Sequence, residues 1–317
     1  MATSGTYSFG VSRDDIIRDA MLNIRRLDPD ETPTPAETGD CARRLNMLFK
    51  QWQGKSDFAP GLKTWTRKRG FLLLSNTGRY TVGPTAQGWT NALTVTALSA
   101  SGAAAATTIT VTAVTGFTTL YNVAVALDSG AMHHTTINGA PAGSVVTLTA
   151  ALPSAASRGN AVYCYQSAAQ NIKALETALL RDSSLTDIPL TLMLLKTYDQ
   201  LPGKVDPTNS GDPTAVYFEE GIKTSVVYTD VGTSQDLSKY IVITYQEPIQ
   251  DFTNPLDEPY YSSEWFLALA WGLSEQIAPM FGAVWNEKME QLKTRAIAIA
   301  QNHSVENSDV FFMPGND

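Results

Sequence analysis

The chain has 317 residues, of which 43% are hydrophobic and 17% are charged. A chain of this size and composition can bury a full core, which excludes disorder throughout, and its length favours two compact units. Acidic residues outnumber basic ones by 31 to 23, giving a formal net charge of -8. This balance disfavours a protein that grips nucleic acid through a basic surface.

The cysteine count and the hydropathy pattern bound the cellular setting. Cys41 and Cys164 are the only cysteines. Two are too few for a secreted disulfide framework or a zinc site, so we interpret both as free thiols. We find neither a run of 18 apolar residues nor a basic segment followed by an apolar one at the N-terminus. No membrane span or signal peptide is therefore expected, and we expect the protein to be made and used in cytosol.

Two amphipathic helices are predicted near the N-terminus. A Ser-x-x-Asp pattern that begins at Ser12 predicts a capped helix over residues 12–27. Thr34, with Glu37 three residues later, predicts a second helix that ends before Gly54. Together they predict an αα-hairpin.

The middle of the chain differs in composition from both ends. From about residue 91 to 166, Ala, Thr, Val, Ser and Gly dominate and charge nearly vanishes. Residues 93–97, 109–113 and 145–149 alternate with a period of two between glycine-marked turns, which is typical of strands. We expect an inserted all-β module, a small barrel or sandwich, that folds as an independent lobe.

Further strands and helices are predicted on either side of this module. Residues 70–74 and 79–82 flank Asn76-Thr77-Gly78, which predicts a β-hairpin. Residues 188–191 look like the start of a helix that runs to Tyr198. Strands, expected to form one small antiparallel sheet, are predicted at 214–219, 223–227 and 240–246.

Two helices are predicted toward the C-terminus. Ser262 or Ser263 caps a long helix through Ile277, and residues 285–301 form a charged amphipathic helix. The fold class is therefore α+β. We predict a discontinuous helical domain with a small antiparallel sheet at residues 1–90 and 167–301. The inserted module occupies residues 91–166, and an extended C-terminal tail occupies residues 302–317.

The candidate metal ligands are His133, His134 and Asp128. Adjacent residues on a strand point to opposite faces, so the two histidines cannot easily share one ion. We expect one histidine to face outward and the other to pack, with no metal or cofactor bound.

Three loop carboxylates are the candidates for catalysis. Asp251, Asp257 and Glu258 resemble a glycosidase pair or calcium ligands, but carboxylates before a helix more often cap it or stay solvated. The sequence contains no G-x-S-x-G, P-loop, G-x-G-x-x-G or H-E-x-x-H pattern. We therefore predict that the protein is not an enzyme.

Five basic residues are candidates for subunit or DNA-channel contacts. Arg67, Lys68 and Arg69 form one run, and Arg43-Arg44 lie on the second helix. Because the chain is acidic overall, we favour solvated faces or pairs with a neighbouring subunit's acids over direct DNA contact.

The C-terminal tail carries an apolar run without a helical or strand period. Val310, Phe311, Phe312 and Met313 have no evident partner in their own domain, and such a patch is unusual in water. We predict an anchor that inserts into a partner or a neighbouring copy, the alternative being a tail that folds back on its own helix.

Several segments, in their order along the chain, resemble the head-to-tail adaptors of P22-type short-tailed bacteriophages, also called packaged-DNA stabilisation proteins. The segments that carry the resemblance are 41–48 leading to Trp52, 187–190, 196–202, 211–217, 243–252 and, most strongly, 257–282. The inserted module distinguishes this chain from the smaller adaptors, as in larger relatives.

The resemblance implies a helical adaptor domain that forms a ring, usually of twelve copies, beneath the portal of the virion. The assembly would take place in the host cytoplasm. Its implied partners are the portal protein, neighbouring copies, a downstream tail or nozzle protein and, transiently and without specificity, genomic DNA; no membrane is implied. A tail-associated cell-wall hydrolase and a capsid- or sugar-binding module are the alternatives.

Overall fold

The computed structural model describes residues 9–56, 59–60, 67–204, 206, 208–232, 236–259 and 263–303. They form a mixed α+β protein that divides into two compact units. We call Met1–Thr66 with Ile249–Asp317 the helical unit, and Arg67–Pro248 the β unit.

Five α-helices are found among the described residues, and all except α3 belong to the helical unit. They are α1 (Arg13–Asn23), α2 (Pro35–Gln53), α3 (Leu195–Asp199), α4 (Phe266–Ile277) and α5 (Glu287–His303). A 3-10 turn at Ser263–Trp265 precedes α4. None of the described helices combines the length and apolar character needed to cross a membrane.

Strands β1 and β2 belong to the helical unit, and the remaining strands belong to the β unit. They are β1 (Lys55–Ser56), β2 (Ala59–Pro60), β3 (Arg67–Leu73), β4 (Arg79–Val82), β5 (Trp89–Thr90), β6 (Thr94–Ala97), β7 (Thr108–Thr110), β8 (Asn122–Ala126), β9 (Met132–Thr136), β10 (Val145–Thr147), β11 (Ala161–Tyr165), β12 (Ala174–Arg181), β13 (Asp187–Met193), β14 (Ala215–Glu219), β15 (Ser225–Thr229) and β16 (Tyr240–Gln246).

The two helix starts predicted near the N-terminus are confirmed, whereas α4 begins after Trp265 without a side-chain cap from Ser263. The Ser12 and Thr34 hydroxyls each accept a hydrogen bond from the backbone amide three residues on. The Asp15 and Glu37 carboxylates accept one from the Ser12 and Thr34 amides, which completes two capping boxes. The first helix ends at Asn23 rather than at residue 27. It ends there because Arg25 adopts a left-handed backbone with φ 58°, while the Arg26 amide donates back to the Met21 carbonyl.

The core of the helical unit joins segments from the two ends of the chain. The Trp52 and Trp265 rings meet edge to face, with their centroids 6.2 Å apart. A methyl group at Gly272 of α4 would lie 2.5 Å from Trp52 Cζ2, so α2 and α4 approach this closely only because residue 272 has no side chain. The Ser274 hydroxyl donates to the Ala270 and Ala20 carbonyls, which links α4 to α1.

The β unit is built on an eight-stranded, barrel-like sheet with the order β4-β15-β14-β13-β12-β16-β3-β5. All its pairs are antiparallel except β13 with β14. The sheet is thus larger than the small antiparallel one predicted. One face is lined by buried aliphatic side chains, among them Leu72, Val82, Leu180, Val216, Val227 and Ile241.

Two sequence predictions for this unit are wrong. Strands β3 and β4 do not pair as a hairpin, because β3 aligns over seven residues with β16, whereas β4 pairs with β15. Residues 187–193 form strand β13 between β12 and β14 rather than the start of a helix, and only α3 follows it. In both cases pairing with distant strands overrides the local signal.

The three strands predicted within residues 91–166 correspond to β6, β7 and β10, and β8, β9 and β11 are additional. They form a four-stranded sheet, β6-β11-β8-β9, and a two-stranded one, β7-β10. Val125, Val146 and Val162 belong to a core of their own between these strands. The opposite side chains of β11, however, pack on the eight-stranded sheet. The Tyr163 ring lies 6.0 Å from that of Tyr240, and its hydroxyl donates to the Leu237 carbonyl over 2.7 Å.

The predicted domain boundaries at residues 91 and 166 therefore do not coincide with the division between the units. Residues 67–90 and 167–248 group with the module and not with the helices. The physical reason is that β8 and β11 bury both of their faces, one in the core of the module and one in the core of the large sheet.

The contact at Gly272 can be tested with a pair of glycine substitutions. We expect Gly272→Ala to lower the free energy of unfolding by about 1–3 kcal/mol because the new methyl overlaps Trp52. Gly39→Ala, in α2 with open space around the added carbon, is the control and should raise it by about 0.5–1 kcal/mol. Denaturant unfolding measures both, and equal effects would contradict the packing.

The contact between the module and the large sheet depends on Tyr163. We expect Tyr163→Ala to lower the free energy of unfolding of the β unit by about 3–5 kcal/mol because it leaves a cavity between two buried layers. Tyr163→Phe keeps the ring and should cost only about 1 kcal/mol for the lost hydrogen bond. If the module of Tyr163→Ala unfolds separately and the free energy of unfolding of the large sheet does not change, the module is an independent lobe.

Candidate functional site

The basic residues selected from the sequence lie in two different units. Arg43 and Arg44 are on α2 of the helical unit, and the run from Arg67 to Arg69 is on β3 of the β unit.

The run on β3 is held by acids of the same chain. Arg67 Nε lies 2.5 Å from Glu176 Oε2, and Lys68 Nζ lies 3.8 Å from Glu247 Oε1. The charge of Arg69 is felt by Asp187. The pKa of Asp187 is lowered mainly by the hydrogen bond from Arg181 and also by the charge of Arg69. The charge of the run is thus largely offset locally.

The residues around Arg43 form a shallow groove along the outer face of α2. We call this surface the α2 groove and define it by its lining residues Ala42, Arg43, Asn46, Met47 and Lys50. It has an open volume of about 670 Å³, and Met47 is 64% exposed. Arg43 is also exposed, whereas Arg44 is half-buried beside the groove.

One edge of the α2 groove holds the segment that leads back from the β unit. The Asn46 side chain donates to the Phe252 carbonyl over 3.0 Å and accepts from the Phe252 amide over 2.9 Å. The Phe49 and Phe252 rings lie 4.8 Å apart, and Lys50 binds the Ile249 carbonyl and the Asp251 carboxylate. Residues 249–252 are thereby fixed to α2 without regular structure of their own.

The next turn of this segment is organised by Asp257. Its carboxylate accepts hydrogen bonds of 2.7 Å from the backbone amides of Thr253 and Asn254. These bonds lower the pKa of Asp257 to about 2 because they favour the charged form. The Arg13 amide donates to the Asp257 carbonyl, which ties the turn to the start of α1.

The three candidate carboxylates do come together. Asp251, Asp257 and Glu258 line a cleft of about 240 Å³ beside Phe49 and Phe252. General-acid catalysis on a glycoside needs a carboxyl group with a raised pKa. The pKa of Asp257 is shifted in the opposite direction, and Asp251 is paired with Lys50.

The histidine pair lies on β9, as predicted. His133 Nε2 is 3.3 Å from the Ala150 carbonyl oxygen, whereas the His134 ring packs next to Gly88, where burial lowers its pKa to about 4. Asp128 instead accepts from the Ser157 amide and the Asn160 side chain. Among the described residues, no group of three or more His, Cys, Asp or Glu could hold a metal ion.

Two features of the structure were missed by the sequence analysis. One is the Asn46 clamp on Phe252, since an asparagine within a helix gives no signal of a partner 206 residues away. The other is a cluster of three tyrosines in the β unit, Tyr198, Tyr217 and Tyr228, with centroids 5.3–5.7 Å apart and Lys204 over the first ring. Two of these tyrosines fall in segments that carry the resemblance, but their contact depends on the sheet.

The predicted anchor residues Val310, Phe311, Phe312 and Met313 lie outside the described residues.

No model of a known protein family matches the chain, and no curated protein is similar enough to it to count as a match.

The role of Asp257 predicts a specific pH dependence. Its pKa in the folded protein, about 2, is below the ordinary 3.8, so its contribution to stability is complete above the ordinary value and is lost as the pH falls toward 2. Asp257→Asn should therefore have a lower melting temperature than the wild type at neutral pH. The difference in melting temperature should disappear as the pH falls from 3.8 to about 2. Thermal unfolding at a series of pH values measures this, and a gap that does not change with pH would contradict it.

Proposed function

We propose that this protein is a structural head-to-tail adaptor of a tailed bacteriophage and not an enzyme. In this proposal, copies of the chain form a ring, of about twelve copies by the resemblance, beneath the portal protein. The ring would extend the DNA channel and give the next tail or nozzle protein a platform. The chain would belong to the virion at the head–tail junction after assembly in the host cytoplasm.

The observation that carries the proposal is the meeting of the resembling segments in one core. Trp52, which follows segment 41–48, packs on Trp265 of segment 257–282, and Phe49 packs on Phe252 at the end of segment 243–252. Segments that resemble one family in order along the chain would not need to meet in space if the resemblance were accidental. Their contact supports a shared helical domain.

The charge distribution supports loose contact with DNA. The chain has a formal net charge of -8, and the only run of three basic residues, Arg67 to Arg69, faces acids of its own unit. Phosphate binding grows with the number of free cations that replace counterions. A conduit with few free cations lets duplex DNA slide during packaging and ejection.

The cleft at Asp251, Asp257 and Glu258 favours a second candidate, a tail-associated cell-wall hydrolase. We rank it lower because Asp257 is committed to two backbone amides and has a lowered pKa. If the cleft were catalytic, purified cell wall would be cleaved by the wild type and not by Glu258→Gln.

The adaptor proposal is tested by mixing the protein with the portal of the same virus. We expect rings with the symmetry of the portal in electron micrographs of the mixture, and only monomers or weak association without portal, because each subunit interface must offset the entropy of association. A chain that ends at Ser304 should lose stable docking, because burial of two Phe and one Met contributes on the order of 5 kcal/mol before ordering costs. Its melting temperature should stay nearly unchanged.

Two results would contradict this proposal. The first is a wild-type chain that does not bind the portal, and the second is a stable closed ring formed without it. A large drop in melting temperature for the truncated chain would instead support a tail that folds back on its own unit.

A further inference from the structure

Only one asparagine of the chain is followed by a glycine, which is Asn138 before Gly139. The two residues come after β9 in the module, and both are exposed. The backbone of Gly139 has φ 86°, and the space that a Cβ atom would take at this position is open. Because glycine has no side chain, nothing at residue 139 hinders the approach of the Asn138 carboxamide to the backbone nitrogen that follows it.

Hydrogen bonds within the protein do not restrain this pair. Among the described residues, neither the Asn138 side chain nor the Gly139 amide takes part in a hydrogen bond. The Asn138 amide, in contrast, donates to the Thr147 carbonyl over 2.8 Å, which fixes the backbone just before the pair. An exposed amide that has no acceptor in the protein can lose its proton to the solvent and act as a nucleophile.

Other asparagines of the β unit lack one or both of these features. The Asn160 side chain donates to the Ala126 carbonyl over 2.9 Å, so its carboxamide is held by another strand. Asn91 is exposed, but alanine follows it, and the Ala92 amide donates to the Thr90 hydroxyl over 3.3 Å. Asn91 and Asn160 therefore serve as controls within the same chain.

We propose that Asn138 is a site of spontaneous modification, at which it converts to aspartate and isoaspartate in the folded protein, and that the free Gly139 amide makes it the preferred site. The Gly139 nitrogen loses its proton and attacks the Asn138 Cγ atom. A bond forms between these two atoms, the bond from Cγ to Nδ2 breaks, and Nδ2 takes up a proton and leaves as ammonia. Water then opens the cyclic succinimide at either carbonyl carbon, so that water is the only co-reactant.

The products change the charge of the module and the length of its main chain. Asp128 and Arg158 are the only charged side chains of residues 91–166 when histidine is counted as neutral. A carboxylate at residue 138 therefore gives the neutral module a net negative charge. Isoaspartate also adds one carbon atom to the main chain between the Asn138 amide and Gly139. Because the site is exposed, we expect the melting temperature to change little.

Incubation of the purified full chain tests the proposal. The protein is kept in buffer at neutral and at mildly alkaline pH, and samples taken at intervals are digested for mass spectrometry. Electron-transfer fragmentation distinguishes isoaspartate from aspartate. We expect Asn138 to convert roughly tenfold faster, or more, than Asn91 and Asn160. The rate should rise with pH, because the Gly139 nitrogen must lose its proton before it attacks.

Two variants separate the effect of the sequence pair from that of its setting. Asn138→Gln should abolish the acidic species in ion-exchange chromatography, because a glutamine closes the corresponding larger ring far more slowly. Ala92→Gly creates a second exposed Asn-Gly pair, in which the amide of residue 92 donates to the Thr90 hydroxyl. Asn91 of this variant should convert roughly threefold more slowly than Asn138, because the hydrogen bond must break first. Equal melting temperatures show that the variants fold.

Three outcomes would overturn the inference. The first is an Asn138 that converts in the urea-unfolded chain but not in the folded one, because the fold would then protect it. The second is conversion of Asn91 or Asn160 in the wild type at the rate of Asn138. The third is conversion of Asn91 in Ala92→Gly as fast as that of Asn138, which would leave no role for the free Gly139 amide. The experiment uses no portal, so its result is independent of the adaptor proposal.

Discussion

The helical unit depends on the close approach of α4 to α2 at Gly272. The Trp52 ring occupies the space where any side chain at this position would lie, and the Trp265 ring meets Trp52 edge to face. These residues come from segments that are more than 200 positions apart, and the whole β unit is inserted between them. One small residue on one helix thus allows the two ends of the chain to share a core.

The candidate site follows from this arrangement. Once α2 is fixed by its buried face, it holds residues 249–252 through Asn46 and Lys50 at the edge of that face and through the buried Phe49 ring. The carboxylates selected from the sequence then serve the segment itself, since Asp257 caps a turn and Asp251 pairs with Lys50. Such a loop is better suited to positioning than to acid catalysis.

In the β unit, the module and the eight-stranded sheet are joined by strands that bury both of their faces. In β11, alternate residues face two cores, Val162 inward to the module and Tyr163 outward to the large sheet. Strand β16 has the corresponding property on the other side, with Ile241 in the interior of the sheet and Tyr240 against Tyr163. The module therefore packs on the large sheet through a buried layer, although its low content of charged residues is typical of a separate domain.

The sequence by itself determined the local features. Both capping boxes, the α+β class, the alternating strands of the module and β14 to β16 follow from short-range patterns, because a cap or a strand period is set by neighbouring residues. Only the tertiary structure decided that β3 joins β16 rather than β4, that residues 187–193 form a strand, and that Asn46 holds Phe252. In each case the deciding partner lies far along the chain, so the energy that selects the conformation exists only after the core has assembled.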